Sequence, residues 1–519
     1  MSKPKFYLTT PLYYVNAEPH IGHSYTNVAA DTLARYRRMK GYDVYFLTGT
    51  DEHGQKIEQA SKQEGFEDVK LFCDKIVEKF IDLWKLLNIS YDDFIRTTES
   101  RHEETVKKIL SLLYEKDEIY LDDYQGWYCT PCETFWTPGQ VEDNKCPDCG
   151  RPLEYISEKN YFLRVSKYQD WLLDYLRNHP DFILPKTRYN EIYSFIKGNK
   201  LNDLCISRPK ERLSWGIPTP FSSDHVTYVW FDALLNYITA PGFLREEERF
   251  KKLWPADVHF IGKDILRYHA IYWPIMVHML GLEPPRMVFA HGWWLVEKEG
   301  GAADKMSKSK GNIVDPRVIV EKYSADALRF FMLREVPFGL DGTFSEQNFI
   351  HRINSDLAND FGNLVYRTLN MIAKYYERRI PDSSRGRESG DAVFKEVISG
   401  LEERIENAMS VLNFQQAIVE IWELIRRANK YIEEKAPWNL FKENKSQLDF
   451  VIYNLAEVLR IVLIALAPFI PDSTSKAWSY LGFKDDIHLH NYSEISQWGI
   501  ISPGQIVDKG QPLFPRIQI

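Results

Sequence analysis

The hydrophobic period changes twice within the first fifty residues, and this restricts the fold more than any other feature of the chain. Phe6-Tyr7-Leu8-Thr9-Thr10 reads as a buried strand. Turn formers follow in Asn16-Ala17-Glu18-Pro19. Tyr25, Val28, Ala29, Leu33 and Tyr36 then recur at steps of three and four, which predicts an amphipathic helix over about 22–40. Arg37, Arg38 and Lys40 fall in its last turn, and Gly41 stops it. Val44-Tyr45-Phe46-Leu47 is a second strand. Strand, helix and strand in this order make a βαβ unit and hence a parallel sheet.

The same grammar returns later. Val258-His259-Phe260-Ile261 is a strand, a helical stretch runs from Asp264 to about Leu280 before Gly281, and Met287-Val288-Phe289-Ala290 is another strand. Between the two α/β halves, roughly residues 115–225 do not follow this rhythm. The expected architecture is one sheet divided by an insertion. After about residue 345 strand signals nearly vanish. Phe414, Ala417, Ile418, Ile421, Trp422, Ile425 and Ile432 form one helical face, and Leu455, Val458, Leu459 and Val462 another, as in a helical bundle. Pro381 to Asp391 reads as a loop within it. The predicted divisions are 1–114, 115–225, 226–344 and 345–519.

A length of 519 residues fits three or four compact units at about 150 residues each. With 44% hydrophobic and 27% charged residues, the balance is globular and excludes a disordered or fibrous chain. The net charge of −8 does not advertise a nucleic-acid binder, but phosphate contacts need only a local basic patch. No secretory signal is expected at the N-terminus. The longest uncharged apolar run, Ile461 to Ile470, contains Pro468 and is too short to cross a bilayer.

Of six cysteines, Cys129, Cys132, Cys146 and Cys149 are packed together, while Cys73 and Cys205 stand alone and read as core thiols. This is no disulfide framework; it fits a reducing compartment and a metal. Two Cys-x-x-Cys knuckles separated by thirteen residues suit a closed tetrathiolate site for structural Zn²⁺. An iron–sulfur site or redox thiols are the alternatives.

Two further motifs concern anions. His20-Ile21-Gly22-His23 lies where the first strand has ended and the first helix begins. Helix N-termini attract anions, glycine admits close approach, and two imidazoles can donate to phosphate oxygens. Lys305-Met306-Ser307-Lys308-Ser309 follows a strand, near Gly300 and Gly301, and its ammonium groups can stabilise charge that grows on a triphosphate. Taken singly, these are two surface histidines and an exposed basic loop.

Together, in these structural contexts, they are the two signatures of class I aminoacyl-tRNA synthetases. Pro11-Leu12-Tyr13-Tyr14-Val15-Asn16, Thr48-Gly49-Thr50-Asp51-Glu52-His53-Gly54, Tyr228-Val229-Trp230-Phe231-Asp232-Ala233, His259-Phe260-Ile261-Gly262-Lys263-Asp264 and Ala436-Pro437-Trp438 extend the match. Essentially the whole chain resembles the methionyl-tRNA synthetase family. The resemblance implies a Rossmann-like α/β nucleotide-binding catalytic domain with a zinc-binding insertion, followed by an all-α helical-bundle anticodon-binding domain.

It also implies roles. His20, His23, Lys305 and Lys308 would act on the phosphates of ATP, which carries Mg²⁺, beside Gly22. Gly262 and Asp264 would hold the ribose. Leu12, Tyr14, Trp230, Ala233, Tyr237 and His291 would line the methionine side chain, and Asp51 would bind its ammonium. Asn359, Asn363 and Trp438 would contact the anticodon; some members carry Arg where Asn363 stands. All four zinc cysteines of the family pattern are present.

The implied reaction joins methionine to AMP with loss of pyrophosphate, then passes it to tRNA(Met), initiator tRNA included. A cytoplasmic enzyme is expected. The absence of the further tRNA-binding, dimerising domain of longer members suggests a monomer, or a chain trimmed of that domain. Leucyl, isoleucyl and valyl enzymes resemble a larger, editing insertion, and a cysteinyl enzyme would place zinc in the catalytic site. A non-catalytic tRNA-binding relative would be expected to lose His20, His23 or Lys308.

Overall fold

The computed structural model describes residues 3–130, 134–136, 139, 141–147, 150–297, 303–305 and 314–518. Its central sheet has the parallel order Asp93–Arg96, Asp43–Asp51, Lys5–Thr9, Val258–Gly262, Val288–His291, Ile183–Leu184. The two-residue strand Tyr13–Tyr14 continues the line of the first strand and pairs with Thr50 and Asp51. Leu8 lies opposite Val258 and Thr9 opposite His259. The two halves of the chain therefore meet in the middle of one sheet. Where strand order reverses, open α/β sheets leave a crevice at the carboxyl ends of the strands.

The predicted helix occupies Ile21–Met39, and Tyr25, Val28, Leu33 and Tyr36 are buried on it. The stretch after Asp264 is helical but not uniformly so. It begins with a 3₁₀ turn, Lys263–Ile265, passes through a π-helical turn, Tyr268–Tyr272, and ends as the α-helix Trp273–Met279. Such π turns are frequent at functional sites.

The middle region builds a separate antiparallel sheet in the order Thr134–Trp136, Ile119–Cys129, Glu154–Leu163, Leu204–Cys205. It does not run apart from the main sheet throughout. Ile183–Leu184, inside the span read as an insertion, pairs with Val288 and Phe289 at the edge of the central sheet. Phe182 and Ile183 are buried there, so a two-residue strand is enough to anchor the segment. A third, small sheet sets Trp294–Glu297 between Ala303–Lys305 and Gly342–Phe344.

Beyond Phe344 the described residues form helices, with one isolated bridge between Arg379 and Ile506. On Phe414–Lys435 the predicted apolar face is buried in full. Lys445–Leu466 is buried all round from Phe450 onward and forms the centre of the bundle. The segment Pro381 to Asp391 contains the short helix Ser384–Glu388 where a loop is predicted. Ser383 caps it by accepting from Gly386 N, and Trp498 Nε1 donates to Gly386 O at 2.7 Å, so a distant tryptophan secures it.

Bundle and sheet are joined by buried charge. Arg329 reaches Asp31 on the first helix at 2.7 Å and also donates to the carbonyls of Leu87, Pro468 and Phe469. Arg35 donates to the same carboxylate at 2.8 Å. Burial opposes the charge on Asp31, but these guanidinium groups and hydrogen bonds from Ser90 hold its pKa below the usual carboxylate range. No described helix is long and apolar enough to cross a membrane.

Candidate active site

The crevice at the strand ends opens into a cavity of about 1170 Å³. At one side stands the start of the first helix. His20 is its N-cap, and its Nδ1 accepts from Gly22 N at 3.1 Å. His23 reaches back, and its Nδ1 accepts from His20 N at 3.2 Å. Two histidines thus perform the reciprocal capping usually done by Ser or Thr with Glu. A backbone N–H only donates, so each neutral ring carries its proton on Nε2. Burial, then the neighbouring His20 ring, push the pKa of His23 well below normal. Gly22 is needed at this point: a Cβ there would lie 2.9 Å from His20 Cε1.

At the other side lies an apolar and aromatic chamber. Leu12 and Tyr14 come from the continuation of the first strand, and Asp51 ends the strand Asp43–Asp51. Trp230 and Ala233 sit on the helix Val229–Leu234, and Tyr237 on the following turn Asn236–Thr239. Tyr268, on the π-helical turn, lays its ring on Trp230 at 3.7 Å between centroids and 6° between planes.

In this wall and behind it the imidazoles are neutral and their tautomers follow from their partners. His269 Nδ1 faces the carbonyl of Ile265 at 3.0 Å and must donate; its Nε2 therefore accepts from Tyr237 Oη at 2.8 Å. Burial lowers the pKa of His269 to about 4. His259 Nε2 accepts from the indole of Trp273, so its Nδ1 donates to Thr9 Oγ1 at 2.7 Å. His291 Nδ1 donates to Gly292 O, leaving Nε2 to accept from Thr26 Oγ1 at 2.8 Å. Burial lowers the pKa of both His259 and His291. The chamber is thus uncharged on this side, which suits an apolar side chain.

Between the two sides the strand Val258–Gly262 ends. Trp293 Nε1 donates to Asp264 Oδ1 at 3.0 Å, and Lys263 Nζ lies 4.2 Å from the centroid of the same indole. A Cβ on Gly262 would fall 2.5 Å from Asp264 Oδ1, so a larger residue here would displace this carboxylate from the strand end.

His20, Gly22, His23, the six predicted side-chain wall residues, Asp51, Gly262 and Asp264 all line this one cavity. Lys305 ends the strand Ala303–Lys305, its backbone opposite Leu295; Lys308 lies outside the described residues. Cys129 and Cys146 are buried together with Trp136 and Leu153, while Cys132 and Cys149 lie outside the described residues. Asn359 and Asn363 share a second cleft of about 350 Å³ with Tyr366 and the returning tail Pro512, Leu513 and Phe514. Trp438 stands apart from that cleft, 43% exposed, on the helix Pro437–Glu443. That helix touches Asn363–Tyr376 through the stacked rings of Phe441 and Tyr375.

Sequence reasoning passed over several lining groups. Thr26, Tyr268, His269 and Trp293 carry no motif of their own; only the known strand ends nearby could have pointed to them. Asp232 and His53 lie inside quoted motifs without a role. His102 joins them across a gap that no local pattern reveals.

The chain is similar to known proteins along essentially its whole length. The family described as tRNA synthetases class I (M) matches residues 6–369, and the anticodon-binding domain of tRNA ligase matches residues 391–508. The methionine–tRNA ligase of Caldanaerobacter subterraneus subsp. tengcongensis is 52% identical over 100% of this chain and 80% of its own length. That of Clostridium tetani is 48% identical, over 100% of this chain and 79% of its own. A solved structure, Mycobacterium tuberculosis methionyl-tRNA synthetase in complex with methionyl-adenylate, superposes with a TM-score of 0.92. It is 40% identical, and the match covers 99% of this chain and 100% of that one. The chain belongs to the methionine–tRNA ligases, a family of the class I tRNA synthetases.

Proposed function

We infer that this chain activates L-methionine with ATP and transfers it to the 3′ end of tRNA(Met). One observation carries the reading. A single cavity is lined together by the paired histidines of a helix N-terminus, by an aromatic chamber with the carboxylate of Asp51, and by Gly262 and Asp264.

In the first step the methionine carboxylate attacks the α-phosphorus of ATP, the bond to the β-phosphate oxygen breaks, and pyrophosphate leaves. His20 and His23 present Nε2 protons to the phosphates, and Lys305 and Lys308 add positive charge as the leaving group develops. Mg²⁺ carried by ATP would add positive charge at the phosphate oxygens. Asp51 pairs with the substrate ammonium. Leu12, Tyr14, Trp230, Ala233, Tyr237 and His291 enclose the side chain, where sulfur gains about 0.3–1.5 kcal/mol against an aromatic ring. Asp264 and the backbone at Gly262 hold the ribose.

In the second step the 2′-hydroxyl of the terminal adenosine attacks the activated carbonyl, and AMP leaves. No covalent enzyme intermediate is required; positioning and charge supply the acceleration. Asn359, Asn363 and Trp438 serve the anticodon, by base-edge contact and stacking. Initiator tRNA is included among the partners, and the enzyme works in the cytoplasm.

Cys129, Cys132, Cys146 and Cys149 are proposed to hold one structural Zn²⁺. The burial of Cys129 and Cys146 in one small cluster fits thiolate ligation. The metal would stabilise the insertion, with no part in the chemistry. The overall reading is tested by aminoacylation: purified protein should attach methionine to a tRNA(Met) transcript, and a transcript with an altered anticodon should be charged far more slowly. Failure to charge tRNA(Met) would contradict it.

A further inference from the structure

Behind the aromatic chamber lies a buried cluster with no part in the steps above. Asp232, fully buried, accepts from His53 Nδ1 at 2.7 Å through one carboxylate oxygen and from His102 Nε2 at 2.7 Å through the other. A carboxylate accepts, so the nitrogen of each ring that faces it carries a proton. His102 is fully buried and His53 nearly so. Burial opposes the charge on Asp232, but the two imidazoles hold its pKa below the usual carboxylate range.

The three residues come from three different elements, and the chain immediately beside two of them faces the cavity. His53 lies two residues after Asp51, in the turn that leaves the strand Asp43–Asp51. Asp232 lies on the helix Val229–Leu234, between Trp230 and Ala233. His102 is in the first turn of the helix Ser100–Glu115, outside the cavity lining. The ring of His53 also tilts against Trp215, whose Nε1 donates to the carbonyl of Glu52 at 2.5 Å. The carboxylate that pairs with an amino-acid ammonium and the aromatic wall that encloses its side chain are thus tied to one another through a single buried ion.

Resting on the methionine reading of the chamber, we propose that Asp232, with His102 and His53, is a positioning device that sets the spacing between Asp51 and the Trp230–Ala233 wall, and so governs affinity for the amino acid. None of the three touches substrate. Rigid groups behind a site decide whether the groups in front are held within the tolerance that binding requires. A device of this kind acts on the amino acid and leaves the nucleotide side of the cavity alone.

The test is L-methionine binding by intrinsic tryptophan fluorescence, joined to pyrophosphate exchange, for the wild-type protein, D232N, H102A and H102Q. Glutamine keeps a donor that can reach Asp232; alanine does not. D232N and H102A should weaken methionine binding about tenfold and raise its KM in exchange to match, with kcat and the ATP KM within about twofold of wild type. H102Q should recover most of the loss. Methionine affinity unchanged in H102A would overturn the proposal. So would equal rises in both KM values, or no recovery in H102Q, since a general loss of packing gives those results. The histidine pair decides the matter even where D232N does not fold. Wild-type protein that binds no methionine would instead contradict the reading of the chamber itself.

Discussion

The rings of His20 and His23 stack 3.9 Å apart at the start of the helix Ile21–Met39, each spending its Nδ1 on a backbone N–H. That arrangement ties helix capping to the presentation of two Nε2 protons. The two uses separate on substitution. Serine is a good N-cap, so His20→Ser should leave the unfolding temperature nearly unchanged. It should lower kcat for methionine-dependent exchange by about 100-fold, the usual loss for one donor to developing charge. Stopped-flow exchange beside a thermal melt checks both halves.

Lys308→Ala should behave similarly. A contact made chiefly in the transition state lowers kcat and leaves substrate affinity alone. The adenylation rate should fall steeply while the methionine KM stays within about twofold. Unchanged kcat would remove Lys308 from the mechanism.

The extent to which the sequence foretold this site differs between its parts. The first βαβ unit was legible because its periods are long and its helix carries an apolar stripe from Tyr25 to Tyr36. The strand Ile183–Leu184 was not, because two residues carry no period, and its place comes only from pairing with Val288 and Phe289. The π-helical turn at Tyr268–Tyr272 was equally hidden: the sequence pattern is helical, and the turn that carries Tyr268 onto Trp230 is a tertiary outcome. The cavity residues named by motif all line one space, whereas the link from His53 to Asp232 and His102 depends on three elements meeting in the fold.

Cys146→Ser should release bound zinc and loosen the insertion, with methionine binding at Trp230 retained. Metal analysis of the purified variant, with fluorescence titration of methionine, provides the check. A variant that keeps one zinc per chain would contradict the proposed ligand set.

Asp326, buried at the contact between sheet and bundle, predicts a pH effect. Burial first, and then the charge of Asp472, raise its pKa to about 6, while Ser473 N donates to it at 2.6 Å. The folded state therefore holds the proton more tightly than the unfolded chain, whose aspartate titrates near about 3.9. Stability from this group is present below about pH 4 and is lost as pH rises through about 6. At about 1.4 kcal/mol per pKa unit, the loss is of order 3 kcal/mol. Asp326→Asn should gain on wild type between pH 4.5 and 7.5 in denaturant midpoints. A constant difference across that range would contradict the assignment.

Homocysteine lacks one methyl group of methionine, and a hydrophobic pocket distinguishes such a pair by only about 1–3 kcal/mol. Exchange with homocysteine should therefore be measurable, at about 10- to 200-fold lower kcat/KM. Trp230→Ala should narrow that ratio, because it removes the wall proposed to meet the terminal methyl and sulfur.

The central claim is that the uncharged chamber selects methionine for activation at the histidine-capped helix. Exchange of labelled pyrophosphate into ATP, without tRNA and with the twenty amino acids offered one at a time, tests it most directly. Exchange should appear with methionine and be at background with the other nineteen. Robust exchange with another amino acid, or none with methionine from folded protein, would contradict the account.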